Sequence, residues 1–274
     1  MILIVSSNKD VASQNIGQQI LSRYAFQRST ETYQDNPLFN AQINGKNITL
    51  VTLNHESVNA QSLPEDLPGS ELIVFISRHS SQSGKPTLSV HVPGNFSQAE
   101  LGGLPRKVSV APAVAMQTAL KALVHYKEPS LMMYEVSYEC THHGPSLDVP
   151  TMFMELGSSE AQWCDTRAAQ VVADATMTAI VEFRETSEPA VLGIGGTHYN
   201  QKFTLMSLMG EAVFSHMIPK YALPNIDAEM LTQCMAKTYE KVALALLDWK
   251  GIRSEDKPTL LNALEAVRLP YKKV

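Results

Sequence analysis

The chain has 274 residues, 44% hydrophobic and 18% charged, with a formal net charge of −5. So much apolar content at so small a net charge excludes intrinsic disorder, and no window approaches the roughly 18 consecutive apolar residues of a membrane-spanning helix. A pI near 5.9 provides no overall attraction for nucleic acid. A polyanion would have to meet a local patch, for which Lys202, Lys220, the Arg106-Lys107 pair and Lys272-Lys273 are the candidates.

The chain opens on Met1-Ile2-Leu3-Ile4-Val5, which lacks a basic leader and stops at Ser6, so it reads as a buried strand rather than a secretory signal. Residues 10–23 follow as a helix. Gln42 to Leu53 reads as a hairpin turning at Asn44-Gly45, and Leu72 to Ser77 as a short buried strand. Apolar side chains at helical intervals predict a helix over 110–126, with Pro112 near its start. Leu131 to Tyr138 and Thr151 to Leu156 read as strands, the second ended by Gly157. Ser159-x-x-Gln162 then forms a capping box for one long helix to about Arg184. Ala190 to Ile194 is a strand, Asp227 caps a long helix to about Lys250 ended by Gly251, and Pro258 to Val267 is a last short helix. Alternating strands and helices predict an α/β fold with a mostly parallel or mixed sheet flanked by helices. No linker or repeat is visible, so residues 1–274 are expected to form one compact domain. Three cysteines (Cys140, Cys164 and Cys234) include no C-x-x-C pair and cannot close a disulfide framework, which fits a reducing cytoplasm.

Candidate chemistry gathers at the histidines. His79 follows the strand at 72–77, the His142-His143 pair follows the run at 131–140, and His198 follows Ala190–Ile194 in a glycine-rich turn. Ligands of open α/β sheets bind beyond the carboxyl ends of strands, so three strands would deliver four imidazoles to one edge. Such a set, with Glu139 and Glu155 as carboxylates that orient the imidazoles, suits a catalytic zinc or a general base. His55, His91 and His125 read as ordinary hydrogen-bonded histidines. Standard motifs are absent: Gly193-x-Gly195-x-x-His198 lacks the third glycine of a dinucleotide fingerprint, and there is no G-x-S-x-G elbow or phosphate-binding loop. His55-Glu56 opens like a zincin helix but has no second histidine.

At these same positions the sequence resembles the zinc-dependent D-aminoacyl-tRNA deacylases of archaea and plants. The matching blocks are Ser77-Arg78-His79-Ser80, Thr141-His142-His143-Gly144-Pro145, Thr151 to Ser159, Gly193 to Tyr199, and His216 to Tyr221. They run in family order from about residue 70 to 225. The resemblance implies a phosphorylase/hydrolase-like fold similar to bacterial peptidyl-tRNA hydrolase, with zinc as cofactor and the aminoacylated end of tRNA as partner. It also implies hydrolysis of the ester between a D-amino acid and the tRNA 3′ end. In that setting His79, His142, His143 and His198 are the expected metal ligands. Catalysis would fall to His142, His143, His198, Glu139 and Glu155, and substrate binding to Arg78, Gly195, Gly196, Tyr199, His216 and Lys220. A different carboxylic-ester or peptidyl-tRNA hydrolase, a nucleoside phosphorylase-like enzyme and a non-catalytic RNA-binding protein stay open as alternatives.

Overall fold

The computed structural model describes residues 1–274. The first strand, β1 (Ile2–Ser7), is wholly buried and is followed by α1 (Val11–Arg23), whose first turn is capped by the Asp10 carboxylate accepting from Ser13 N–H at 2.9 Å. Next come β2 (Gln27–Tyr33), β3 (Asn36–Ile43), β4 (Lys46–Leu53), a single turn α2 (Leu63–Asp66), β5 (Leu72–Ser80) and β6 (Thr87–His91). The hairpin between β3 and β4 turns at Asn44 and Gly45, both at positive φ, as the Asn-Gly pair requires. After α3 (Ala113–Tyr126) come β7 (Glu135–Tyr138), β8 (Thr151–Ser158), the one-turn α4 (Glu160–Trp163) and α5 (Thr166–Glu182). The chain ends with β9 (Ala190–Ile194), α6 (Gln201–Leu208), β10 (Phe214–Ile218), α7 (Ala228–Ala236), β11 (Val242–Leu247), α8 (Lys257–Ala266) and β12 (Tyr271–Lys273).

The α/β class is as expected, but there are two sheets. The larger is mixed, in the order β2-β3-β4-β1-β5-β8-β6-β7. Its centre is parallel from β4 through β8, whereas β6 runs antiparallel to β8. The smaller sheet, β10-β9-β11-β12, is parallel throughout. Helices α1, α3 and α5 cover one face of the large sheet, where Ala115, Ala119 and Ala122 of α3 and Ala168, Ala169 and Ala173 of α5 are buried with Ile4, Val74 and Met154. A second core packs α7 and α8, through Leu231, Leu260 and Leu264, on Leu192, Ala245 and Leu247 of the small sheet. No helix is long and apolar enough to cross a membrane.

Four sequence expectations are corrected. The capping box at Ser159 is present, but it opens only α4; the chain breaks at Cys164, and Asp165 starts α5 anew by accepting from the N–H groups of Arg167 and Ala168. The long helix expected after Asp227 ends at Ala236, and Val242–Leu247 is strand β11, because a six-residue apolar run has no periodicity that separates helix from buried strand. Residues 131–134 lie outside β7, in a short 3-10 turn and its flank. Gly157 does not end its strand, since β8 continues through Ser158.

Candidate active site

The site begins with register. Residue Ser77 of β5 lies opposite Glu155 of β8, and Glu155 lies opposite Ser89 of β6. Side chains two apart on a strand share a face, and cross-strand partners share it too. His79, Glu155, Phe153 and His91 therefore project together from one face of the large sheet. Opposite His79 stands Gly157, where a Cβ would lie 2.6 Å from the His79 Cβ, so the glycine gives the imidazole its room. Two loops close over this face. One leaves β7 as Glu139-Cys140-Thr141-His142-His143, and the other leaves β9 as Gly195-Gly196-Thr197-His198-Tyr199. They are laced by main-chain bonds, with Cys140 N–H donating to the His198 carbonyl at 2.9 Å and a bridge between Glu139 and Tyr199.

Seven side chains form a continuous cluster. Three overlapping groups, His91–His142–His143, Glu139–His142–His198 and His79–Glu139–Glu155, each bring their ligand atoms within 4.8 Å of one another. His142 belongs to two of the groups, and so does Glu139. The Nδ1–H of His142 donates to the Cys140 carbonyl at 2.8 Å and that of His143 to the Gly144 carbonyl at 2.7 Å, which leaves both Nε2 lone pairs turned inward. His91 Nε2 stands 3.2 Å from His143 Nε2, and the His91 ring stacks on Phe153 at a centroid distance of 5.1 Å. His198 accepts from the Tyr221 hydroxyl on Nδ1 at 3.0 Å and donates from Nε2 to Glu139 at 2.9 Å. His79 sets Nδ1 between Glu139 at 3.2 Å and Glu155 at 3.4 Å, while its Nε2 meets the Tyr199 oxygen at 2.7 Å.

Burial opposes every charge here, and the partners decide which charges survive. Desolvation alone would lower His79, but Glu139 and Glu155 outweigh it and raise it to about 11, so both ring nitrogens carry protons. Glu139 has no solvent exposure, and burial alone would raise it, yet the hydrogen bond from His198 and the charge of nearby His79 hold its carboxyl well below the usual range. Burial and the nearby Glu139 charge push Glu155 up to about 7. Burial with like-charged neighbours keeps His91 and His142 neutral, and burial brings His143 down to about 4. Neutral imidazoles and an ionised carboxylate are the protonation states that bind metal. Within the cluster, two buried polar atoms lack hydrogen-bond partners, His91 Nδ1 and Glu139 Oε1, the latter near His79 but off the line of a hydrogen bond. Such atoms normally find a partner, and a cation among nitrogen and oxygen donors supplies one. The residues fit a divalent metal.

The sequence candidates divide. His79, His142, His143, His198, Glu139, Glu155, Arg78 and Tyr199 all line one cleft of about 710 Å³. Arg78 sits at its rim, its guanidinium held by Glu56 at 3.0 and 3.1 Å. Gly196 and Lys220 instead line a neighbouring cleft of about 570 Å³ that shares Tyr199. Gly195, at φ 105°, packs against Ile252, so its conformation and packing account for it. His216 is corrected: it is wholly buried away from both clefts, with Nε2–H donating to the Lys237 carbonyl at 2.8 Å. His91 was read as an ordinary histidine, yet it lies at the base of the cluster. The available signal was its place at the end of Thr87-Leu88-Ser89-Val90-His91, a short run that went unread as a strand.

The model of the family described as D-aminoacyl-tRNA deacylase matches residues 68–272. A D-aminoacyl-tRNA deacylase of Thermococcus onnurineus is 34% identical over 99% of both chains, and one of Pyrococcus furiosus is 35% identical over 93% of both. The similarity extends to Methanocaldococcus jannaschii, whose D-aminoacyl-tRNA deacylase is 30% identical over 99% of both chains. A solved structure, a conserved protein of unknown function, superposes over 100% of this chain and 95% of its own with a TM-score of 0.89 at 30% identity. Matched along nearly its whole length, the chain belongs to the D-aminoacyl-tRNA deacylase family.

Proposed function

We propose that this chain hydrolyses the ester joining a D-amino acid to the 3′ end of tRNA, and that the histidine–glutamate cleft is where the ester is cut. The observation that carries the reading is the continuous cluster of seven imidazoles and carboxylates at the base of an open cleft, in a chain of this family. His91, His142 and His143 would hold a zinc ion, and its fit rests on nitrogen and oxygen donors without thiolate: the Cys140 thiol is pushed up by burial and donates to the Thr197 carbonyl. Bound there, zinc would polarise the ester carbonyl as a Lewis acid.

The chain's own groups supply the proton traffic. The Tyr221 hydroxyl, which donates to His198 Nδ1, takes a proton from the attacking water as its own proton passes to that nitrogen, and the new bond forms between the water oxygen and the carbonyl carbon; Glu139 holds the His198 ring in place. Breaking the carbon–O3′ bond then returns that proton to the leaving ribose oxygen. The doubly protonated His79 donates to the Tyr199 oxygen, which frees the Tyr199 hydroxyl proton to point at the developing oxyanion. Products are the free D-amino acid and intact tRNA.

The deciding assay follows release of D-tyrosine and of L-tyrosine from charged tRNA, before chelation, after it, and with zinc restored. The reading expects loss of the D-ester alone, abolished by chelator and regained with zinc. Equal loss of both esters would replace it with a general ester hydrolase. No cleavage of either would overturn it.

A further inference from the structure

The neighbouring cleft differs in chemistry from the one that holds the histidines. Tyr199 is its single aromatic side chain; the other walls are hydroxyls, amides, backbone and charges. Its volume of about 570 Å³ lies within the roughly 300–1,000 Å³ usual for ligand sites. Three ammonium groups border it: Lys85 and Lys220 are exposed, while Lys202 is half-buried. Both local carboxylates are already engaged, Asp248 by Lys202 at 2.5 Å and Glu135 by the Gln201 amide at 2.6 Å. Lys85 and Lys220 form no ion pair, so their charge is available to a ligand. The histidine cleft, by contrast, carries Val58, Leu101 and Phe153 on its walls. The two clefts meet at Tyr199.

A polar cleft with unpaired cations suits a hydroxylated anion, and an apolar corner suits an amino-acid side chain. We propose that the lysine cleft receives the ribose-phosphate backbone of the substrate RNA's 3′-terminal nucleotides, while the amino acid lies on the Val58–Leu101 side, with the ester at Tyr199. This rests on the deacylase reading above. It also accounts for how a chain of net charge −5 engages a polyanion: two or three local phosphate contacts suffice.

The test measures binding, separately from turnover. The full-length protein is titrated with a 5′-phosphorylated CCA trinucleotide, followed by fluorescence anisotropy over a salt series. Each phosphate contact to a single strand contributes about 0.7 to the slope of log K against log salt. The Lys85→Gln/Lys220→Gln variant is expected to bind at least tenfold more weakly and to lose about 1.4 of that slope. Circular dichroism and melting show whether it is folded. Should it unfold, Lys85→Gln alone carries the test, with at least a threefold loss expected. Unchanged affinity and slope, beside intact D-ester cleavage by the wild type, overturn the lysine-cleft proposal alone. Competition by AMP or inorganic phosphate as strong as by the trinucleotide also overturns it, in favour of a free-nucleotide or phosphate site. Lysine-dependent trinucleotide binding in a wild type that cleaves no ester supports the cleft and overturns the deacylase reading instead.

Discussion

Glu139 joins the histidines into one system, since its two oxygens face His198 and His142 on one side and His79 on the other. Glu139→Gln removes the buried charge that holds His198 oriented and His79 protonated. Loss of such an orienting carboxylate typically costs 10- to 100-fold in metal affinity or activity. Zinc content by elemental analysis and kcat/KM on D-tyrosyl-tRNA are both expected to fall by that range. His216 behaves differently, because its work is structural. Burial lowers its pKa from 6.5 to about 4 in the folded protein. Between those values the unfolded chain binds a proton that the folded one excludes, so the stability it confers is whole above pH 6.5 and drains as the pH falls toward 4. The difference amounts to about 2 kcal/mol between pH 7 and pH 5. Urea unfolding of the wild type should show that loss over and above the loss in His216→Gln, and a variant with the same pH profile as the wild type would refute it.

Secondary-structure elements were readable where local chemistry marks them. The Asn44-Gly45 turn and the Asp227 cap left explicit signals, and the structure has a turn or a helix start at each. The break between α4 and α5 was missed because the Asp165 cap lies six residues past Ser159, inside what reads as one continuous helix. That carboxylate accepts from two α5 N–H groups and from the Tyr134 hydroxyl at 2.9 Å. Asp165→Ala strands all three donors and should cost about 1–2 kcal/mol by urea unfolding, with deacylation retained. Strand β11 was missed for the opposite reason: Val242 to Leu247 contains no turn, cap or alternation to distinguish it.

Two sheets supply one cleft, and that arrangement explains which site residues were legible. His79, His142, His143 and His198 could be singled out because each follows a strand-like run, but β7 runs with β6 and antiparallel to β5, so His142 and His143 reach the cluster from the direction opposite to His79 rather than from a shared strand edge. His91 comes from β6, which enters the large sheet antiparallel beside β8 and so carries its last residue to the same place from the opposite direction. Nothing near residue 91 encodes that pairing; it follows from the distant partner Phe153. The division of polar and apolar walls between the two clefts is likewise a product of assembly, because Lys85, Lys202 and Lys220 come from three separated segments.

Residue order and residue type alone established the α/β class, the starts of β1, β5, β8, β9, α4 and α7, the histidine-bearing turns and the family resemblance, since all depend on neighbours within a few positions or on short motifs. Tertiary packing decided the rest. It split the strands into two sheets, drew His91 into the cluster, buried His216 away from the substrate-binding place expected for it, and placed Lys220 in a different cleft from the imidazoles. The physical reason is that sheet register and burial are long-range properties. Whether an imidazole is neutral, protonated or merely hydrogen-bonded depends on which carboxylates and carbonyls the fold sets beside it.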